Sequence, residues 1–371
     1  MNIALLAICL RRMEHRIELR IKEKISETDQ AATLVLEPLV PDFHYRAGQF
    51  LTLLFDQIGP RPFRRSYSFS TCPEVDALPA ITVKKVPNGR ASRYLAEQAQ
   101  PGDLLQAIAP AGQFVLAPAE STPRNVFLIG GGSGITPLFA LLKQVLHTEP
   151  RSRVSLVYAN SHEDQIIFRT QLRKLAQQFP DHLQVIHLLS QTRGPLPDLR
   201  QAEAPARIRT QRLSNALVQT LVEEALHFDR ANAQFFVCGP KNLMLKAITM
   251  LHYMQFKSAQ IHQEIFTIVE PYRPPAERYP NSRVRLHYRG QDFEIPVQKG
   301  DTILEAAEKT GLTLPFSCRS GICTTCAATC HSGNVEMFVP HGQIDVSQSN
   351  GLVFTCVGYP LTPAVEISIG I

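Results

Sequence analysis

Cys318, Cys323, Cys326 and Cys356 constrain this chain more than any other feature. Three of them fall within nine residues in the spacing C-x4-C-x2-C, and the fourth follows thirty residues later. The fold must therefore close a tight loop and bring a distant segment alongside it. This is the ligand spacing of a plant-type 2Fe-2S cluster. Within Cys318-Arg319-Ser320-Gly321-Ile322-Cys323-Thr324-Thr325-Cys326, Gly321 and the small hydroxyl residues let backbone amides approach the sulfurs. A bacterial 4Fe-4S run through Cys323, Cys326 and Cys330 would need a cysteine at Ser320 and a proline at His331. Structural zinc favours two close pairs over a trio and a remote ligand. Disulfides suit secreted chains, whereas this one shows no convincing secretory signal. Cys9, Cys72 and Cys330 read as packing cysteines.

A length of 371 residues, 44% of them apolar, suits two or three domains, each with its own core. The apolar start, Met1 to Leu10, is too short to span a bilayer and is followed by Arg11 and Arg12, so residues 1–15 read as an extension. A net charge of +5 is too small to argue for nucleic acid. Residues 283–371 hold six basic against eight acidic side chains, while the preceding part is basic and suits phosphate-bearing cofactors.

Four prolines within Glu270–Pro280 mark a linker. Beyond it, Val284–Tyr288 and Gln291–Val297 alternate like a hairpin, Thr302–Lys309 reads as a capped helix, and Leu352–Thr355 as a strand leading to Cys356. The expectation is a small sheet gripping one helix, a β-grasp ferredoxin domain. Between Val126 and Phe266, strand-like runs (Val126–Ile129, Val154–Tyr158, Val185–Leu189, Phe235–Val237) alternate with helical ones (Leu138–Leu146, Ile166–Phe179, Leu243–Met254), which implies a parallel α/β sheet. Upstream, short alternating segments broken by Pro and Gly suggest an antiparallel β-barrel. The expected domains are 1–15 extension, 16–118 barrel, 119–269 nucleotide domain, 270–282 linker and 283–371 cluster domain.

Gly130-Gly131-Gly132-Ser133-Gly134-Ile135-Thr136-Pro137 joins a strand to a helix, with Thr136 expected as N-cap and Pro137 at the first helical position. Such a loop suits a pyrophosphate. It departs from G-x-G-x-x-G, because Ile135 stands in place of the third glycine. Arg65-Ser66-Tyr67-Ser68 combines a cation, an aromatic ring and hydroxyls. Gly89-Arg90-Ala91-Ser92 opens a second helix suited to an anion. Cys238-Gly239-Pro240 is read as ending the fourth parallel strand, where open α/β sheets bind ligands.

Taken in chain order, Arg65–Ser68, Gly89–Ser92, Gly132–Pro137 and Cys238–Pro240, these four motifs resemble the ferredoxin-NADP reductase superfamily. With the cysteine loop at the C-terminus, the chain is similar to oxygenase-type electron-transfer reductases, a group that includes those of phenylacetyl-CoA epoxidase, ketosteroid hydroxylase and the hybrid-cluster protein. The resemblance covers the chain from about Arg16. It implies that Arg65 pairs with a flavin phosphate, Tyr67 packs on the flavin ring and Ser68 bonds near flavin N5, while Gly89, Arg90, Ala91 and Ser92 hold the FAD pyrophosphate. It assigns Gly131, Gly132, Ser133, Gly134, Ile135, Thr136 and Pro137 to NAD(P)H, together with Cys238, Gly239 and Pro240. Cys238 lines the nicotinamide position, and Glu264-Ile265-Phe266 matches a Glu-x-Phe segment whose ring shields the flavin. Relatives often carry an arginine after the second parallel strand, where this chain reads Ala159-Asn160-Ser161-His162, so NADH versus NADPH stays open. Arg193, Arg207 and Arg209 are the candidate substitutes.

The expected function is an NAD(P)H reductase that uses FAD and a 2Fe-2S cluster to serve a protein acceptor such as an oxygenase component. It is expected in the cytoplasm, without a membrane span. Nicotinamides give electrons in pairs and such clusters hold one, so a flavin must convert between them. A stand-alone reductase of small acceptors and a redox sensor subunit remain alternatives.

Overall fold

The structure is a computed structural model that describes the chain except for residues 1–15, 57, 59–61, 120–121, 194, 196–205, 267–271, 317–318, 322–324, 340–341, 346–349 and 370–371, and the side chains of 342–345. Expectations for the N-terminal extension, Cys9, Cys318 and Cys323 lie outside the described residues. The rest divides into two compact units, one made of Ile17–Phe63 and Tyr67–Phe266, the other of the remaining residues. Among the described residues, no helix is long and apolar enough to cross a membrane.

The first unit begins with six strands: β1 (Arg16–Thr28), β2 (Ala31–Pro38), β3 (Phe50–Phe55), β4 (Phe63–Ser68), β5 (Ala80–Lys84) and β6 (Leu104–Ala111). Their order is β4-β3-β6-β1-β2-β5, and a bridge between Phe69 and Ile81 joins the two ends of the sheet. Closure turns the two-residue period of the strands into an inside and an outside. Leu19, Ile21, Leu34, Leu36, Leu53 and Phe69 fill the inside. A short helix, α1 (Arg90–Arg93), follows β5 and continues as a π-helical turn, Tyr94–Gln98.

The chain then alternates through β7 (Asn125–Gly131), α2 (Ile135–Thr148), β8 (Arg153–Asn160), α3 (Arg169–Gln178), β9 (Leu183–Leu189), β10 (Arg207–Arg209), α4 (Asn215–Ala225), β11 (Gln234–Cys238), α5 (Lys241–Tyr253) and β12 (Ile261–Glu264). The sheet order is β10-β9-β8-β7-β11-β12, with parallel pairing throughout. All of β7 is buried because its alternate residues serve opposite faces. Val126 and Leu128 join a core with Leu138 and Leu141 of α2, while Phe127 and Ile129 meet Leu217, Leu221 and Leu251 of α4 and α5. Two sequence expectations are corrected here. The helix begins at Ile135 after a 3-10 turn at Gly132–Gly134, so Gly134 is the N-cap, Pro137 is the third helical residue instead of the first, and Thr136 donates its hydroxyl to the Ser133 carbonyl, 3.0 Å away. Cys238 ends the fifth parallel strand in the chain, because β10 is too short to show a pattern.

The glycines after β7 are spacers between two backbones. A Cβ on Gly134 would stand 2.2 Å from the Cys238 carbonyl oxygen, and one on Gly131 would stand 2.8 Å from Pro240 Cδ. Gly134→Ala is expected to destabilise this unit by about 3 kcal/mol or more, since rigid main chain must move. A thermal melt showing an unchanged Tm would refute that packing.

The second unit contains β13 (Ser282–Tyr288), β14 (Gln291–Val297), α6 (Ile303–Lys309), β15 (Ala327–Ser332), β16 (Val335–Val339), β17 (Gly342–Asp345), β18 (Leu352–Phe354), β19 (Gly358–Pro360) and β20 (Ala364–Ile369). The first hairpin extends a sheet of order β14-β13-β20-β15-β18, and β16 lies between β17 and β19 in a smaller sheet. Thr302 caps α6 in a reciprocal capping box with Glu305. Ile303, Leu304, Ala306 and Ala307 face a core shared with Val284, Leu286 and Ile367. The stretch before β13 is anchored to the same unit. Tyr279 stacks on Tyr359 with centroids 5.0 Å apart and donates its hydroxyl to Glu336, whose other carboxylate oxygen pairs with Arg278 at 2.6 Å.

Candidate active site and cluster site

Ser68, the last residue of β4, is 3% exposed and donates its hydroxyl to Glu264 Oε2 over 2.8 Å. Glu264 ends β12 directly opposite Cys238, which ends β11. Two adjacent parallel strands thus stop at the same level, and a barrel strand stops against them. Cys238 is fully buried, while Glu264 is half-buried. Burial pushes the Glu264 carboxyl up to about 8 against the lowering effect of the Ser68 hydroxyl. Burial, then the neighbouring Glu264, holds the Cys238 thiol well above its ordinary value. Both shifts favour the uncharged forms, a thiol and a carboxylic acid. Phe266 lies two residues beyond Glu264 and is 41% exposed, an uncommon position for a large apolar ring.

Elsewhere on the barrel, Tyr67 packs against the core, and the exposed Arg65 donates to the Arg64 carbonyl at 2.6 Å. A cavity of about 300 Å³ is lined by Asn88, Gly89, Arg90, Arg93 and Tyr94, among others. Arg90 donates to the Ile58 carbonyl at 2.6 Å and lies 4.2 Å over the Phe63 ring. A Cβ on Gly89 would come within 2.4 Å of the Ser92 hydroxyl, so the turn is open only with glycine there. Ala91 and Ser92 are buried beneath it. Two guanidinium groups and a glycine turn bordering one cavity fit the pyrophosphate of FAD.

At the glycine loop, Gly132 has φ +54, and its Cβ direction points into space where the nearest atom is Lys84 Nζ at 3.6 Å. Gly132 is therefore the glycine of this loop that is not pressed against a neighbouring backbone, unlike Gly131 and Gly134. Burial lowers the Lys84 ammonium from its ordinary value. The Tyr158 hydroxyl donates to the Gly132 carbonyl at 2.9 Å and fixes the loop from below. Sequence reading missed both residues. Lys84 closes the alternating Ile81-Thr82-Val83 run, and a cation ending a barrel strand was the available signal; Tyr158 looked like an ordinary strand aromatic.

In the second unit, the Sγ atoms of Cys326 and Cys356 are 3.3 Å apart and buried. A disulfide needs about 2.05 Å, whereas two thiolates on one tetrahedral metal with bonds of about 2.3 Å stand somewhat under 4 Å apart. Thr355 ties the two cysteines together, since its amide and hydroxyl both donate to the Cys326 carbonyl. Arg319 and Gly321 take positive φ, and a Cβ on Gly321 would lie 2.9 Å from Val357. Beside Cys326, the Thr325 hydroxyl oxygen is buried without a hydrogen-bond partner among the described residues. A thiol pair at this separation with an unsatisfied hydroxyl beside it fits the iron-sulfur group. Cys72 and Cys330 take no part: Cys72 is buried against Glu74 and pushed up to about 12 chiefly by burial, and Cys330 lies on β15.

Three families match consecutive parts of the chain: the Oxidoreductase FAD-binding domain at residues 16–116, the Oxidoreductase NAD-binding domain at 128–249, and the 2Fe-2S iron-sulfur cluster binding domain at 286–361. The ferredoxin reductase component of 3-ketosteroid-9-alpha-monooxygenase from Mycobacterium tuberculosis is 31% identical over 96% of both chains. The chain belongs to this family of oxygenase-type reductases. One component of 1,2-phenylacetyl-CoA epoxidase from Escherichia coli is 30% identical over 92% of this chain and 94% of its own. In fold, the phthalate dioxygenase reductase structure aligns with a TM-score of 0.55 at 20% identity, covering 96% of this chain and 98% of that one. The protein is thus an oxidoreductase with FAD, NAD and 2Fe-2S domains in the order read from its motifs.

Proposed function

We propose that this reductase draws electrons from NAD(P)H and delivers them singly to the oxygenase component of a partner system. The convergence of Ser68, Cys238 and Glu264 carries the reading, because it brings a hydroxyl, a thiol and a neutral acid to one point between two cofactor domains. When bound, FAD supplies the conversion from paired to single electrons and the cluster supplies the one-electron exit. Ser68 presents its hydroxyl at the reacting edge, and Glu264 holds that hydroxyl in place while keeping its own proton below about pH 8. Cys238, neutral and buried, supplies a small surface for the nicotinamide. Arg90, Arg93 and Gly89 hold the FAD pyrophosphate, and Arg65 and Tyr67 engage its phosphate and ring. Gly132 and Lys84 receive the nicotinamide dinucleotide, and Phe266 excludes solvent until the nicotinamide arrives. Cys318, Cys323, Cys326 and Cys356 ligate the cluster. The proposal extends to a cytoplasmic setting, where reduced thiols are maintained.

Anaerobic mixing of the reconstituted protein with NADH or NADPH is expected to bleach flavin and cluster absorbance in succession. Purified oxygenase components added next are expected to reoxidise the cluster with saturable concentration dependence. Rapid reduction of small acceptors with no protein acceptor used from a panel of such components would overturn the partner assignment.

A further inference from the structure

The ends of β8 and β9 bear on which nicotinamide nucleotide is used, a question that rests on the hydride-accepting reading above. In open α/β sheets, the end of the strand beside the glycine-loop strand meets the adenosine ribose. A carboxylate there accepts from the 2′-hydroxyl of NAD, and an arginine there accommodates the 2′-phosphate of NADP. In this chain that position is followed by Ser161, His162 and a 3-10 turn, Glu163–Gln165. The backbones of the two strand ends are zipped, with Ser190 N donating to the Asn160 carbonyl at 3.1 Å and Gln191 N to the Ser161 carbonyl at 2.9 Å.

This zipping brings Arg193 to the acidic turn, where it is already engaged. Its guanidinium lies 2.7 Å from Asp164 Oδ2, and its backbone N–H donates to Glu163 Oε1 at 3.3 Å. The other carboxylate oxygen of Glu163 is buried without a hydrogen-bond partner among the described residues, and so is Nδ1 of His162. Arg209, the next candidate along the sheet, lies 3.4 Å from Glu224. Among the described residues, the turn after β8 therefore offers the carboxylates of Glu163 and Asp164, with Arg193 already paired to Asp164.

We infer that Glu163 accepts a hydrogen bond from the adenosine ribose of NADH and that Glu163 and Asp164 together reject NADPH. A ribose diol would supply a donor to the Glu163 carboxylate on the half-buried turn, whereas a 2′-phosphate would bring a like charge to Glu163 and Asp164 together. A site built to bond a hydroxyl discriminates strongly against a ligand that leaves its polar group unpaired or opposed.

The test is calorimetric and kinetic, on the FAD-loaded full-length protein. 5′-ADP is expected to bind on the order of 10-fold tighter than 2′,5′-ADP, and kcat/KM for flavin reduction is expected to favour NADH over NADPH by on the order of 100-fold. Glu163→Gln is expected to shrink both ratios by about 10-fold, through KM more than kcat. Asp164→Asn, which releases Arg193, is expected to tighten 2′,5′-ADP binding specifically. Equal use of both nucleotides or a preference for NADPH overturns the inference and leaves the reductase reading intact. Loss of both ligands alike in Glu163→Gln also overturns it, because that marks a structural role. If neither nucleotide bleaches the flavin, the reductase reading fails and this inference with it.

Discussion

Replacing Cys356 with serine is expected to abolish electron delivery to protein acceptors while leaving flavin reduction by nicotinamide nearly unchanged. Cys356 Sγ lies 3.3 Å from Cys326 Sγ in the second unit, whereas Ser68, Cys238 and Glu264 all belong to the first. Changing even the outer partners of a metal site costs roughly 10–100-fold, so losing a thiolate ligand should exceed that range. The measurement is a pair of assays on one preparation. Ferricyanide reduction, which needs only the flavin, should persist, while cytochrome c or oxygenase reduction and the cluster's electron paramagnetic resonance signal should fall to background. Parallel loss of both activities with an unchanged circular dichroism spectrum would show that the two units do not divide the chemistry in this way.

The second large effect concerns Glu264. Glu264→Gln removes an ionisation but keeps the shape, and Ser68→Ala removes the hydroxyl that Glu264 orients. Each is expected to slow stopped-flow flavin reduction on the order of 100-fold, the scale that attends a misplaced reacting group. The pH dependence should separate the two variants. With its carboxyl raised from 4.5 to about 8 in the fold, Glu264 binds its proton more tightly folded than unfolded. Its contribution to stability is therefore full below about pH 4.5 and is lost as pH rises toward 8. The Glu264→Gln protein should accordingly melt at a higher temperature than the parent near pH 8, with the difference closing toward pH 4.5. Ser68→Ala should show no such gain. A Glu264→Gln protein that melts lower at every pH would contradict the assigned protonation.

Much of the architecture was legible because it is written in local period. The 3.6-residue repeats and buried strands between Val126 and Met254 reflect burial on one stripe or on both faces, which the spacing of apolar residues reveals. The candidate site is most readable where a residue type has few other uses, as with Cys326 and Cys356, whose sulfurs the fold brings to 3.3 Å. It was less legible where tertiary contact decides. The glycines at 131 and 134 must be small because Pro240 and the Cys238 carbonyl press against them, a constraint the local sequence does not show. Thr136 has the composition of a cap but sits inside the helix, since the preceding 3-10 turn already supplies helical geometry. Lys84 and Tyr158 reach the loop from other strands, and no local pattern announces such reach. The acid pair at Glu163 and Asp164 was passed over because the search there was for a missing arginine.

The hydrogen bond between Ser68 and Glu264 joins residues 196 positions apart. During synthesis the barrel emerges first and can close on itself, since Phe69 and Ile81 meet locally. Its reactive edge stays unfinished until β12, the last strand of the neighbouring sheet, has left the ribosome. Contacts of such long sequence separation form late in folding. A chain that has not yet released β12 from the ribosome thus carries a barrel whose Ser68 still lacks its partner, Glu264.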